Sequence, residues 1–92
     1  MSDVLQRPFW TGQPIKQALA FRVHKTIAGR ERDAIAELWT HAFGWELRLL
    51  VDGEFQRSQV CRREGEVFAT IDEWRGALKA KGWTPPRLKS SE

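Results

Sequence analysis

The stretch "WELRLLVDGEFQRSQVCR", Trp45–Arg62, carries the pattern on which the fold turns. Trp45, Leu47, Leu49 and Val51 alternate with Glu46, Arg48 and Leu50, the period of two expected of a strand with one buried face. Asp52-Gly53 follows, a pair suited to the positive φ that a type I′ hairpin turn needs at both central positions. Phe55–Arg62 is then the return strand. With Asp52 and Gly53 as the two turn residues, Val51 faces Glu54 and the pairing runs back from there. On one face Leu50 meets Phe55, Arg48 meets Arg57 and Glu46 meets Gln59. On the other, Leu49 meets Gln56, Leu47 meets Ser58 and Trp45 meets Val60. The first face is unusual: an apolar pair beside the turn, then two arginines.

Upstream, "ALAFRVHK" (Ala18–Lys25) also alternates, with Leu19, Phe21 and Val23 on one side and Ala20, Arg22 and His24 on the other. It reads as a strand, and "TIAGRERD" (Thr26–Asp33) as a polar loop around Gly29. The next segment, "AIAELWTHAF" (Ala34–Phe43), admits two readings. As a helix it would group Ile35, Leu38, Trp39 and Phe43. Trp39, Thr40 and the immediate run through Gly44 into a strand favour a strand. Its register depends on the turn at Ala42–Gly44. A two-residue turn places Trp39 and His41 on the open face, whereas a three-residue turn places them in the core.

Downstream the period changes. Val67, Ile71, Trp74 and Leu78 are spaced four, three and four apart, the stripe of a helix beginning near Glu66. Thr70 with Glu73 offers a capping box and a competing start near Ile71. Gly82 falls just beyond the helix end, with Trp83 folding back, Pro85 and Pro86 blocking continuation, and Lys79 and Lys81 suiting the negative end of the helix dipole.

Together these elements imply an α+β fold, an antiparallel four-strand β-meander with one C-terminal helix packed on one face. The domain would span residues 18–84, with a flexible N-terminal arm over 1–17 and a loose tail over 85–92. The helix, roughly 24 Å long at 1.5 Å per residue, can cover a single face of the sheet. The face bearing Trp45, Leu47, Leu49 and Val51 matches its stripe. Arg48, Leu50, Phe55 and Arg57 then remain on the other side, joined by Trp39 if the turn has two residues. That side is either a solvated surface, a surface covered by Phe9 and Trp10 of the arm, or a contact surface.

The chain is 92 residues with 41% hydrophobic and 29% charged residues, enough for one domain with a modest core. Five Trp and five Phe provide bulk for it. The net charge of +3 comes from 15 basic and 12 acidic residues interspersed along the chain, which permits an anionic partner without demanding one. Cys61 is the single cysteine, so no internal disulfide forms and a reducing cytoplasm is the expected location. No signal pattern and no apolar run of membrane length occurs, so no membrane partner is expected.

Catalytic chemistry finds little support. The soft and imidazole groups are His24, His41 and Cys61, and the pairing above separates His41 from Cys61 by on the order of 10 Å, too far for a nucleophile and its base. No residues show metal-ligand spacing, "AGRERD" lacks the strand–helix frame of a phosphate loop, and Asp72 and Glu73 suit a helix near its start. No cofactor and no small molecule is implied. The residues instead describe a non-catalytic binding module acting through the open face, with a protein partner or a second copy. The alternative is nucleic acid held by Arg48, Arg57, Arg22 and Trp39, with Arg7 and Lys16 reaching from the arm. Glu46, Glu37 and the small net charge weigh against it.

"WELRLLVDGE", "RSQVCR" and "EWRGALKAKGW" together resemble the second half of small uncharacterised bacterial proteins, in which such a hairpin precedes a helix ending in a Lys-Gly-Trp element. The resemblance covers Trp45–Trp83. It implies the same fold and a bacterial origin, and it carries no activity or functional residue.

Overall fold

Residues 10–85 are described by the structure, a computed structural model. Four strands, β1 (Lys16–Ile27), β2 (Arg30–His41), β3 (Gly44–Val51) and β4 (Glu54–Cys61), precede one helix, α1 (Glu64–Ala80). The strands pair antiparallel in the order β1-β2-β3-β4. The α+β meander with a single C-terminal helix is therefore the fold. Arg7 and Phe9 of the arm and the tail from residue 86 lie outside the described residues.

Between β1 and β2 the expected loop is absent. The strands run on through Thr26–Asp33 and reverse at Ala28-Gly29, whose φ values of 52° and 77° are those of a tight hairpin turn. Its polar residues are strand residues that pair across: Arg22 Nη2 donates to Asp33 Oδ2 at 2.9 Å, and His24 Nδ1 lies 3.0 Å from Glu31 Oε2. Opposite charges on neighbouring strands support this polar extension of the ladder, which hydrophobic alternation cannot reveal. β1 also carries two irregularities, between Lys16 and Ala18 and between Leu19 and Phe21. The second breaks the expected alternation. Phe21 and Val23 enter the core, but Leu19 falls opposite Glu37 and is 54% exposed.

β2 and β3 turn at Ala42-Phe43 with His41 opposite Gly44, which selects the two-residue register. Ala34, Ala36, Leu38 and Thr40 face α1, while Ile35, Glu37, Trp39 and His41 share the other face with Leu50, Arg48 and Glu46. Gly44 takes φ 141°, and a Cβ built there would lie 2.5 Å from the backbone oxygen of Cys61. Only glycine lets β3 begin this close to the end of β4.

The β3–β4 hairpin keeps its expected turn, with φ of 53° at Asp52 and 83° at Gly53. Val51 faces Glu54 and Leu50 faces Phe55. Beyond them the register changes: Leu49 pairs with Arg57, Arg48 with Ser58, Leu47 with Gln59, Glu46 with Val60 and Trp45 with Cys61. Gln56 is one extra residue, a β-bulge that moves every later β4 residue by one position. The expected Arg48–Arg57 pair does not form. The bulge separates two like charges and seats the small Cys61, rather than Val60, against Trp45 in the core.

Asp52 does more than turn the chain. Its Oδ1 accepts the Asp33 N–H at 2.9 Å, its Oδ2 accepts Arg32 Nε at 2.5 Å, and its own N–H donates to the Asp33 carbonyl at 2.8 Å. The tip of the β3–β4 hairpin is thereby tied to β2. The Asp33 N–H and the Arg32 guanidinium hold the Asp52 carboxyl below its usual range.

α1 begins at Glu64, two residues before the expected start and well before the alternative at Ile71. Glu66 Oε1 accepts the N–H groups of Arg62 at 2.7 Å and Arg63 at 3.4 Å, which stabilises the first turn from its third position. Arg63 can only donate, so its side chain supplies no reciprocal half of the motif. Thr70 is not a cap; it is buried, with its Oγ1 3.8 Å from Cys61 Sγ. The far end closes as the sequence implies. The Trp83 N–H bonds the Leu78 carbonyl at 3.0 Å and the Gly82 N–H that of Lys79 at 3.0 Å, with Gly82 at φ 96°. This is the paired arrangement of a Schellman motif.

Trp83 then packs into the core with Trp45, Trp74, Val67, Leu47 and Leu49. Thr84 exchanges two backbone hydrogen bonds with His24, at 2.8 and 2.9 Å, along the outer edge of β1. The helix is clamped to the sheet by the chain that leaves it.

Two stability outcomes follow. Gly44→Ala should cost at least about 2–3 kcal/mol, because the added methyl meets backbone and the φ is strained; a thermal melt should fall by about 10 °C or more. Asp52→Asn preserves the turn and the acceptor but removes the charge. A carboxyl with a lowered folded pKa stabilises above its unfolded value of about 3.9 and loses that contribution as pH falls through the folded value. The melting-temperature gap between wild type and Asp52→Asn should therefore be full at neutral pH and close in acid.

Candidate binding face

The cross-strand pairing arranges the face away from α1 into rows. Nearest the β3–β4 turn lie Arg22, Ile35, Leu50 and Phe55, next Leu19, Glu37, Arg48 and Ser58, and then Lys16, Trp39, Glu46 and Val60. No described element covers these rows; the buried cluster and α1 lie on the opposite side.

The middle of the face is a connected polar and aromatic network. Trp39 folds back along β2, and its indole N–H donates to Glu37 Oε1 at 3.0 Å. Lys16 Nζ donates to Glu37 Oε2 at 3.3 Å, so both carboxylate oxygens have a donor. Glu37 is only 8% exposed, which such pairing makes tolerable. Arg48, directly opposite Glu37, lays its guanidinium over the Trp39 ring at 4.0 Å and donates through Nε and Nη2 to Glu46 Oε1 at 3.1 and 3.0 Å. A guanidinium held by stacking and by two hydrogen bonds keeps little freedom to lose on contact.

Toward the β3–β4 turn the character changes. Ile35 and Leu50 are half-buried, and Phe55 beside them is 60% exposed. At the other end Trp10 lies 6.3 Å from His41, centroid to centroid, and His41 lies 5.6 Å from Phe43. The Arg62 guanidinium sits 4.8 Å above the Phe43 ring. His41 Nδ1 accepts the Phe43 N–H at 3.1 Å, which pins the imidazole over its own turn. Trp10 thus rests at the β2–β3 end of the face and reaches neither Phe55 nor Leu50.

Of the five residues expected on the contact surface, Trp39, Arg48, Leu50 and Phe55 share this face. Arg57 does not. The bulge turns it to the helix side, where its guanidinium stands 4.8 Å from the centroid of Trp74. Its place opposite Arg48 goes to Ser58. Glu37, expected to weigh against an anionic partner, and Lys16, expected on the arm, are members of the network. Their one sequence signal was the spacing of Glu37 and Trp39, which puts both on one side of a strand.

His41 and Cys61 occupy opposite faces. Burial pushes the Cys61 thiol up, against the opposing influence of Thr70, and keeps it protonated at neutral pH. Among the described residues no cluster of His, Cys, Asp or Glu is placed to hold a metal ion, and no helix is long and apolar enough to cross a membrane.

Comparison of the chain with protein-family models, with curated proteins and with solved structures finds no match.

The burial of Cys61 has a direct readout. A thiol-specific chromogenic reagent should leave the native protein unmodified at neutral pH and react stoichiometrically once denaturant unfolds it; rapid labelling under native conditions would contradict this packing.

Proposed function

We propose that the protein is a non-catalytic binding module whose working surface is the sheet face opposite α1, and that its partner is a protein. The observation that carries this reading is the pre-set Trp39–Arg48 pair beside the exposed Phe55. Tryptophan and arginine are the residues that most often dominate interface energetics, above all where they are held in place before contact. Phe55, Leu50, Ile35 and Val60 supply apolar area next to that anchor, in the mixture of apolar centre and arginine that contact surfaces favour. The outer edge of β4 adjoins this surface, and no other described strand pairs with it.

Charge bookkeeping on the same face disfavours the nucleic-acid alternative. Lys16 is paired with Glu37, Arg22 with Asp33 and Arg48 with Glu46. Arg57 lies on the other side of the sheet. Phosphate binding draws its affinity from cations that can replace condensed counterions, and here these three already face a carboxylate, leaving Arg62 over Phe43 at the end of the face.

The test is association of the purified chain and of its variants. Phe55→Asp and Leu50→Asp place a charge in the apolar row while both positions stay outside the core, so folding should persist. Each should reduce self-association in sedimentation equilibrium, or binding of a protein ligand identified by crosslinking, by about tenfold or more. Arg48→Ala should weaken the same association by removing the stacked anchor. A protein that stays monomeric, whose crosslinked partners are unaffected by all three substitutions, would overturn the proposal. A salt-steep gel shift lost on Arg48→Ala would instead favour nucleic acid.

A further inference from the structure

The bulge in β4 produces a second feature, on the helix side of the sheet. Where one residue would normally oppose Leu49, two do, and Gln56 and Arg57 both point toward α1. With Leu49, Trp74, Ala77, Leu78 and Lys81 they line a cleft of about 260 Å³ between the β3–β4 hairpin and the last turns of the helix. Its accessible apolar wall is Ala77 and Leu78, set over the buried Leu49 and Trp74. Its rim carries two cations and an amide.

Both cations are uncommitted. Among the described residues neither Arg57 nor Lys81 has a carboxylate partner, a state they share with Lys25, Arg30, Arg62, Arg63 and Lys79; what sets them apart is that both line one cleft. No Asp or Glu lines the cleft. Arg57 is also held: its guanidinium lies 4.8 Å from the Trp74 ring centroid, a contact that limits its range through solvent. Bulges commonly re-aim a side chain in this way beside binding sites.

We infer that this cleft is a binding site for a small carboxylate with a short aliphatic body, the acid group at Arg57 and Lys81 and the hydrocarbon against Ala77 and Leu78. A planar guanidinium matches a carboxylate through two parallel hydrogen bonds, with the Gln56 amide and the Lys81 ammonium as further donors. The volume suits a body about the size of one large amino-acid side chain. This site is independent of the proposed contact face, since the two lie on opposite sides of the sheet.

The probe is 4-methylpentanoate, with 4-methylpentanamide and acetate as controls, titrated into ¹⁵N-labelled protein. The indole N–H of Trp74 and the amides of Gln56, Ala77 and Leu78 report on the cleft. The acid should shift these signals saturably; the amide, lacking the charge, and acetate, lacking the body, should each bind about tenfold more weakly. Arg57→Gln should reduce affinity for the acid by a similar factor while leaving the spectrum of a folded protein, and Phe55→Asp should leave it unchanged. Absence of a saturable shift with the acid would overturn the inference, as would equal binding of the amide or unaltered binding in Arg57→Gln. Loss of carboxylate binding with intact protein association, or the reverse, separates this site from the contact face.

Discussion

A single α-helix has one apolar stripe and a sheet has two faces, so the way four strands distribute their side chains decides what is buried and what is left for contact. In this protein the distribution depends on one extra residue, Gln56. Because side chains alternate with a period of two, an inserted residue changes the face of everything after it in the strand. Cys61 is carried into the core against Trp45, Val60 out of it, and Arg57 away from Arg48 toward Trp74. The core under α1 closes because the residue beside Trp45 is small, and the opposite face escapes a pair of repelling guanidinium groups because Ser58, not Arg57, stands opposite Arg48.

The rest of the architecture secures that arrangement at its ends. Gly44 permits β3 and β4 to approach where any Cβ would collide with Cys61. Asp52 ties the hairpin tip to β2. Gly82 and Trp83 finish the helix and return the chain across the edge of β1, where Thr84 pairs with His24. Each fastening joins elements distant in sequence, which is how a small domain with few core residues holds one register.

The two faces consequently differ in chemistry. On the open face the charges are already matched and the aromatic group already stacked, leaving an apolar row as the part with most to gain from a partner. On the helix side the cleft holds cations without counter-charges beside an apolar wall. Arg48 and Arg57, nine residues apart on one hairpin, thus stand on opposite sides of the sheet: one is stacked on Trp39 and paired with Glu46, the other lies over Trp74 without a carboxylate partner among the described residues.

Local chemistry made much of this legible in the sequence. The strand Trp45–Val51, the Asp52-Gly53 turn, the stripe from Val67 to Leu78 and the stop at Gly82 each follow from backbone preference or from the spacing of apolar residues, and so did the meander with its helix. The polar extension of β1 and β2 leaves no such mark, because cross-strand ion pairs, not apolar residues, line it. The bulge at Gln56 was equally invisible. Nothing in "EFQRSQVC" marks where an extra residue falls; that was settled by the fit of Cys61 beneath Trp45 and of Arg57 over Trp74, contacts between residues far apart along the chain. Arg48, Leu50 and Phe55 could be assigned to the contact face from alternation and the Asp52-Gly53 turn; Trp39 waited on the length of the turn at Ala42–Gly44, and Arg57 was misplaced, since its side depends on a packing choice made elsewhere in the molecule.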